Sequence, residues 1–547
     1  MGVAKWQTYP RPQMRRVGYV NLNGTWKLEG KDIWVPFIPQ SRLAEYKGEI
    51  KECMTYERKF IVPSDFTKEK ILLHFGAVDE VAKVYVNDNY VGMHEGGYLP
   101  FSFDITEYVS RERENTLKVE VEDYLTRKYP YGKQCKKRGG MWYTPISGIW
   151  QTVWMENVPK QYIKKVKITP SLDRVAITLD AETKGFRAIV SGDGIISKEY
   201  TISENTGELV IENPVNWTVS NPYLYNVKII TDTDEVDSYF ALRTVEVKEV
   251  EGIQRICLNN QPIFMHGVLD QGYFEDGIFL PEEDTEYEKD ILRMKELGFN
   301  MLRKHIKIEP EQFYYDCDRL GMLVLQDMVN NGGYSYIFDT VLPTIGFKKK
   351  NDCKDLKKDL ERKQIFEKHM VDTLEDLYNH PCIIGYTIFN EGWGQFESDR
   401  MYDIAKGVDA TRFYDSTSGW FAQKKSDVDS EHIYFRAEEL HAKKRPMFLS
   451  ECGGFSYLVE GHVFNTEKSY GYGACASVEE LTDRIVDMYK VMVVPGIKGG
   501  VCGCVYTQVS DVEDEINGMY TYDRQICKVN KEKMKALAAE IYKQIEE

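Results

Sequence analysis

The sequence predicts three domains: an N-terminal β-sandwich of jelly-roll type over residues 1–157, an immunoglobulin-like β-sandwich over 158–250, and a C-terminal (β/α)8 TIM barrel over 251–547. Three observations carry this. The chain has 547 residues, several times what one core needs at roughly 150 residues per domain. Up to about residue 250, short β-rich runs follow one another with almost no helical periodicity. Beyond it, apolar runs alternate with amphipathic helical patterns, as parallel β/α units do.

In the first segment the runs are TYERKFIVP, KILLHFGAV, EVAKVYVNDNYVGM, NTLKVEVEDY and GIWQTVWME. Within the third, an Asn-Asp-Asn turn separates two alternating strands and predicts a hairpin. Many short strands of this kind suit a sandwich or jelly roll. From 158 to 250 the runs KKVKITPSL, RVAITLDAE, LYNVKIITD and YFALRTVEVKEV have the strand spacing of an immunoglobulin-like sandwich, without the Cys…Trp…Cys core of antibody domains. The last segment holds eight strand-like runs: 262–268, 299–305, 322–328, 382–391, 411–419, 431–436, 446–452 and 499–508. Most are followed by a helical pattern, which over about 300 residues reads as a TIM barrel. An open doubly wound sheet would carry a Gly-rich phosphate turn after its first strand. GVLDQGYFEDG is not one.

Composition narrows the function classes. A net charge of −16 argues against nucleic acid, which needs clustered Lys and Arg, and the short stretch KQCKKR (133–138) does not reverse it. No window reaches the roughly 18 apolar residues of a membrane span, so no membrane partner is expected. The first residues show no apolar signal core, and a cytoplasmic location is expected. Eleven cysteines at irregular spacing read as free thiols. Cys502 and Cys504 alternate onto one strand face and read as core, and no metal ligand set is readable.

A TIM barrel carries its chemistry where its strands end. The polar residues there are His266 and Asp270 after run 1, His305 after run 2, Asp327, Asn330 and Asn331 after run 3, Asn390 and Glu391 at the end of run 4, His432 and Tyr434 on run 6, Glu451 at the end of run 7, and Tyr506 and Gln508 on run 8. Cleaving a glycosidic bond takes two carboxyl groups in different states, one protonated and one ionised. Glu391 and Glu451 stand out because each closes an apolar strand and is followed by Gly or Cys-Gly-Gly, which reads as room for a ligand.

The chain resembles glycoside hydrolase family 2, the group containing β-galactosidases, β-glucuronidases and β-mannosidases, over nearly its full length. The resemblance rests on LNGTWKLEG (22–30), WVPFIPQS (34–41), VYVNDNYVGMHEGGYLPFSFDIT (84–106), YTPISGIWQTVWME (143–156) and FALRTVEV (240–247), then FNMLRKH, FNEGWG and FLSECGG in order. It implies a sugar-binding-like first domain and a retaining exo-β-glycosidase. It also implies Glu391 as acid/base, Glu451 as nucleophile, and Asn390 as the residue bonding the sugar 2-hydroxyl. By the same resemblance His305, His432, Tyr434 and Trp420 line the first subsite.

Departures from the family leave the sugar open. β-Glucuronidases of the family carry an Asn-x-Lys motif after strand 8 that grips the sugar carboxylate; here Asn517-Gly518-Met519 lacks the Lys, which counts against a uronic acid. Strand 8 offers Tyr506 where a Trp commonly ends it. The family's base rate favours a β-galactosidase, with β-glucuronidase, β-mannosidase and α-L-arabinosidase specificities as alternatives, and a non-catalytic carbohydrate-binding barrel as the alternative of another class. No Gly-x-Ser-x-Gly elbow supports a serine hydrolase. The loop 128–145, rich in Lys, Arg, Tyr and Trp, either covers the barrel mouth or is solvated; the solvated reading is favoured. Some relatives bind a divalent cation beside the acid/base, and many are dimers or tetramers; neither is readable here.

Overall fold

The computed structural model describes residues 5–344, 347, 356–434 and 438–546. The first domain packs a four-stranded sheet, ordered Tyr19–Asn21, Val153–Val158, Lys70–Phe75 and Phe101–Asp104, with a six-stranded one. The central strand of the latter, Asn115–Glu122, shows why: Leu117, Val119 and Val121 alternate inward while the residues between them stay half-buried. The expected hairpin forms between Val81–Val86 and Asn89–Glu95. Its two turn residues, Asn87 and Asp88, sit at φ 50° and 64°, the left-handed pair that a two-residue hairpin turn requires.

Seven antiparallel strands between Lys165 and Phe240 form the second unit, a three-stranded and a four-stranded sheet. It has its own apolar core around Val175, Ile177, Ala188 and Tyr225. A further hairpin, Val245–Val250 with Ile253–Leu258, leads into the barrel.

The barrel strands are Met265–Asp270, Met301–Lys304, Leu323–Asp327, Ile383–Asn390, Phe413–Ser418, Asp429–Ile433, Met447–Gly453 and Val501–Thr507, numbered 1 to 8 below. All eight are parallel to their ladder partners, in the order 5-4-3-2-1-8-7-6, a near-closed barrel. Helices cover it at Thr285–Glu296, Glu311–Leu320, Leu360–Asp376, Ser398–Val408, Val478–Met488 and Lys531–Glu546. Their ends carry ordinary signals. Ser477 caps the fifth through the Glu480 amide, and Gly321 ends the second at φ 68°.

The first domain and the barrel share one continuous apolar core. Trp150 meets Phe279 edge-on at 5.1 Å. The second unit is tied on by polar contacts: Trp217 Nε1 and Tyr239 Oη each donate to Asp318 at 2.7 Å, and Arg243 Nε donates to Pro381 O at 2.8 Å. The ten described cysteines are free thiols, with Cys502 and Cys504 buried in the barrel wall; Cys353 lies outside the described residues. No described helix is long and apolar enough to cross a membrane.

Candidate active site

Strand alternation places the first group. On strand 2, Arg303 turns inward and Lys304 outward, with His305 following on the inner side. Arg303 has no exposed side-chain surface. Its fork donates to Asp327 from Nε at 3.1 Å and Nη2 at 2.9 Å, to Ser450 O and Glu451 Oε1 from Nη1 at 2.9 and 3.0 Å, and to Asn390 Oδ1 from Nη2 at 2.9 Å. One guanidinium therefore spans strands 2, 3, 4 and 7, which only a planar multi-donor group can do. His305 Nδ1 lies 2.6 Å from Asp327 Oδ2, and burial pushes its pKa down to about 4, so the ring is neutral at pH 7.

Glu391 follows Asn390 at the end of strand 4, and both line the same pocket. Consecutive strand residues would face opposite ways. The chain solves this by turning left-handed: Glu391 sits at φ 52° and Gly392 at φ 69°, an uncommon conformation for a side chain longer than Asn. The Glu391 amide is held by Ser418 O at 3.0 Å. Asn390, whose carbonyl oxygen is taken by Arg303, keeps its amide N–H groups for a ligand.

Glu451 lies in a stretch of strand 7 where the pairing slips against both neighbours, between Glu431 and His432 and between Leu449 and Cys452. Such irregularities re-aim side chains at barrel rims. Burial alone would raise its carboxyl pKa. His432, Arg303 and His305 nearby, together with the Tyr434 hydroxyl that donates to Oε2, outweigh burial and hold it at about 2. Glu451 is thus the ionised partner. An oxygen of Glu391, a nitrogen of His432 and an oxygen of Glu451 all lie within 4.8 Å of one another. No other such trio of His, Cys, Asp or Glu occurs among the described residues; Glu451 in this one shares the Arg303 cation with Asp327.

A pocket open to solvent lies above these groups. Its floor includes His305, Asn390, Glu391, Tyr434, Glu451 and Thr507, and its walls include Gln271, Tyr334, Trp393, Tyr472 and Glu515. One side comes from the first domain: Lys133, Met141 and Trp142. The loop 128–145 is therefore a wall of the site rather than a solvated segment. Tyr131 N donates to Asn330 O at 3.0 Å, Tyr143 Oη to Glu515, and the Thr144 amide to Glu513 at 2.9 Å. Trp142 meets Trp393 edge-on at 5.1 Å and Tyr334 at 5.2 Å. Its aromatic residues bury against the barrel while Lys136, Lys137 and Arg138 stay exposed, and of its basic residues Lys133 lines the pocket.

Several expected contacts lie elsewhere. Asp270 alternates away from its pocket-lining neighbours Leu269 and Gln271 and pairs with Lys304 at 2.6 Å, in a cluster with Glu309 against the outer helices. Asn331 donates to Lys128 O and Arg362 O at 3.1 and 2.9 Å, tying the loop to the barrel. Tyr506 packs behind strand 7, and the pocket-facing residue of strand 8 is Thr507. Asp327 acts one layer down, through Arg303 and His305. Trp420 is buried, donates to Asp339 O at 3.2 Å and backs His432. His266 bonds Gly298 O at 3.0 Å within the barrel wall. The glycines after the two glutamates make room for protein rather than ligand. A Cβ on Gly453 would meet the Tyr506 ring at 2.3 Å, and one on Gly392 the Phe421 ring at 2.3 Å. Gly453→Ala, at φ 77°, is expected to cost about 2–4 kcal/mol from strain and overpacking. Chemical denaturation would read this, and an unchanged midpoint would refute the packing argument.

Arg303, Lys133, Trp142, Trp393, Tyr472 and Glu515 were not singled out from sequence. For Trp393 the signal was present in FNEGWG, and for Arg303 it lay in the inward alternation of strand 2. Lys133, Trp142 and Glu515 reach the pocket from loops whose course no local pattern encodes, and Tyr472 from a short strand, Tyr472–Cys475, outside the barrel.

Comparison with known proteins adds the following. Residues 33–159 match the family model described as glycosyl hydrolases family 2, sugar binding domain, and residues 245–446 match glycosyl hydrolases family 2, TIM barrel domain. The chain is similar to a beta-galactosidase of Thermoanaerobacter pseudethanolicus, 28% identical over 65% of this chain and 47% of that one. It is also similar to a putative beta-glucuronidase of Formosa agariphila, 25% identical over 74% of this chain and 50% of that one. The chain thus spans about half the length of these curated relatives. Among solved structures, the beta-D-glucuronidase of Dictyoglomus thermophilum superposes with a TM-score of 0.75 at 19% identity, covering 97% of this chain and 98% of that one. The Ruminococcus gnavus beta-glucuronidase gives 0.76 at 18%, covering 99% and 100%. At these identities the likeness is one of fold.

Proposed function

This chain belongs to glycoside hydrolase family 2, and from that premise we propose that it is a retaining exo-β-glycosidase in which Glu451 is the nucleophile and Glu391 the acid/base. The observation that carries the reading is the pair itself: carboxylate oxygens from strands 4 and 7 within 4.8 Å, one of them held ionised. Retaining glycosidases hold their carboxyl groups about 5–5.5 Å apart, and inverting ones about 6.5–9.5 Å. Glu451 attacks the anomeric carbon while Glu391 gives its proton to the departing oxygen. Glu391 then takes a proton from water, which releases the sugar with its configuration retained. Asn390 offers its amide N–H to the 2-hydroxyl, a bond that strengthens as charge develops at the anomeric centre. Trp142, Trp393 and Tyr334 present ring faces and edges to the sugar's C–H surfaces.

For the sugar, a β-galactoside is the first reading. It is supported by the names of several sequence relatives and by Met519, buried where the resemblance would need a carboxylate-gripping Lys. One observation favours a β-uronide instead: Lys133 lines the pocket, and no carboxylate among the described residues pairs with it. A panel of nitrophenyl β-galactoside, β-glucuronide, β-mannoside, β-glucoside and α-arabinoside separates these. Preference for the galactoside with Lys133→Gln near wild type supports the first reading. A uronide preference that Lys133→Gln lowers by about 10- to 100-fold, the worth of one charge-assisted bond, supports the second. Inactivity on every sugar would sink the enzyme reading in favour of a carbohydrate-binding barrel.

A further inference from the structure

We infer that His432 is a positioning residue that decides which oxygen of Glu391 carries the catalytic proton; the inference rests on the glycosidase reading above. His432, on strand 6, has no exposed side-chain surface. Its Nδ1 lies 2.9 Å from Glu391 Oε1 and its Nε2 3.0 Å from Ser418 Oγ. Nε2 is also 3.7 Å from Glu451 Oε1, so one ring stands between the two carboxyl groups. The ring cannot slide. Trp420 packs against it at 5.4 Å, and a Cβ on Gly419 would sit 2.8 Å from its Cγ. Ser418 acts twice, because its carbonyl also holds the Glu391 amide.

A carboxylic acid carries its proton on one oxygen. If Ser418 Oγ–H donates to Nε2, the imidazole must carry its own proton on Nδ1. That N–H occupies Glu391 Oε1, and no other side chain among the described residues bonds Glu391. The acid proton is then left on Oε2, the oxygen free to face the glycosidic bond. In the second half-reaction Glu391 is ionised, and the same Nδ1–H steadies the carboxylate while it acts as base. No proton leaves the imidazole in either step, so the ring orients without taking part in the transfer.

The charged and titratable groups packed around this pair are Glu451 on strand 7, Arg303 and His305 on strand 2, Asp415 on strand 5, Tyr434 beyond strand 6, and Tyr470 and Tyr472. Lys133 and Glu515 complete the rim. Substitutions at 432 leave all of these in place. Asn puts an amide where Nδ1 stands and keeps a donor for Glu391; Leu keeps bulk and removes the donor.

The test compares wild type, His432→Leu and His432→Asn on glycosides with good and poor leaving groups. Acid assistance matters only for the poor ones and is worth about 10²–10⁴-fold. His432→Leu is expected to lose on the order of 10²-fold on an alkyl or methoxyphenyl glycoside and far less on a dinitrophenyl glycoside. The basic limb of its pH profile should move upward, because an acid stripped of a donor to its anion ionises later. His432→Asn should recover most of both. Equal losses on the two leaving groups, or an Asn variant no better than Leu, would overturn the proposal by showing a merely structural role. A readout independent of turnover is the imidazole ¹⁵N spectrum of histidine-labelled protein, with His432 assigned from the Asn variant. The Nδ1–H tautomer is expected near pH 7 and should be lost in Ser418→Ala, and an Nε2–H tautomer in the wild type would refute the assignment. An inactive wild type with the Nδ1–H tautomer would sink the glycosidase reading instead.

Discussion

Glu451→Ala is expected to lower kcat/KM by on the order of 10⁴-fold or more on any glycoside that the wild type cleaves, because no other group can form the covalent intermediate. The variant should still fold. Removing this anion leaves Arg303 its bidentate pairing with Asp327 and its bond to Asn390. It also opens a space in which azide fits. With azide added, turnover should return and yield the α-glycosyl azide, since a small nucleophile now attacks the face that Glu451 used. Glu391→Ala should behave differently. Its loss, about 10²–10⁴-fold on poor leaving groups, should nearly vanish on a dinitrophenyl glycoside, and azide should there give the β-glycosyl azide. NMR of the products distinguishes the two anomers. Exchanged stereochemistry between the variants would reverse the assigned roles, and retained turnover without azide in Glu451→Ala would remove the nucleophile altogether.

Arg303→Met carries the second large effect, and it acts on folding and chemistry together. The substitution keeps volume but leaves Asp327 and Glu451 buried without their cation. Breaking one side of a buried charge network costs about 3–5 kcal/mol, visible as a lower midpoint in denaturant. The pH dependence has a definite sign. Glu451 has a folded pKa of about 2, depressed below its ordinary value of 4.5, so its contribution to stability is present above the ordinary value. That contribution is lost as pH falls through the folded value. In Arg303→Met the depression shrinks, and less stability should be lost between about pH 4.5 and 2. The acid limb of kcat/KM should move to higher pH for the same reason, since more acid is tolerated only while Glu451 stays ionised. An unchanged acid limb would mean that Tyr434 and the two histidines suffice to hold the charge. Arg303→Lys should not restore the wild type, because an ammonium cannot reach Asp327, Ser450, Glu451 and Asn390 at once.

Much of this arrangement was legible in the chain. Most barrel strands fall where apolar runs predicted them, because a parallel strand buried on both faces is near-continuously apolar; strand 5 (FYDSTS) and strand 6 (DSEHI) are the polar exceptions. The helices follow from their 3.6-residue stripes and caps. Glu391 and Glu451 were legible because each follows or ends such a run and is followed by Gly or Cys-Gly-Gly; Asp270 and Asp327 end strands too, and the structure turns them away from the pocket. Period-two alternation, applied strictly, would have gone further. It turns Asp270 and Tyr506 outward and Arg303 and Thr507 inward, as the structure has them. It would also have misplaced Glu391, which shares a face with Asn390 only because its backbone turns left-handed.

What the sequence determined by itself is therefore the class of fold, the order of the strands and the two glutamates at the ends of strands 4 and 7. These depend on periodicity and on local runs, which each segment carries whatever surrounds it. The tertiary structure alone decided the states of those glutamates and the shape of the pocket. Glu451 is ionised because His432 and Arg303, the latter 148 positions earlier, are folded against it, and Glu391 is oriented by His432, 41 positions later. The wall formed by Lys133, Met141 and Trp142 exists because the first domain shares a core with the barrel. Charge pairing and burial are properties of proximity in space, and no local pattern of residues records them.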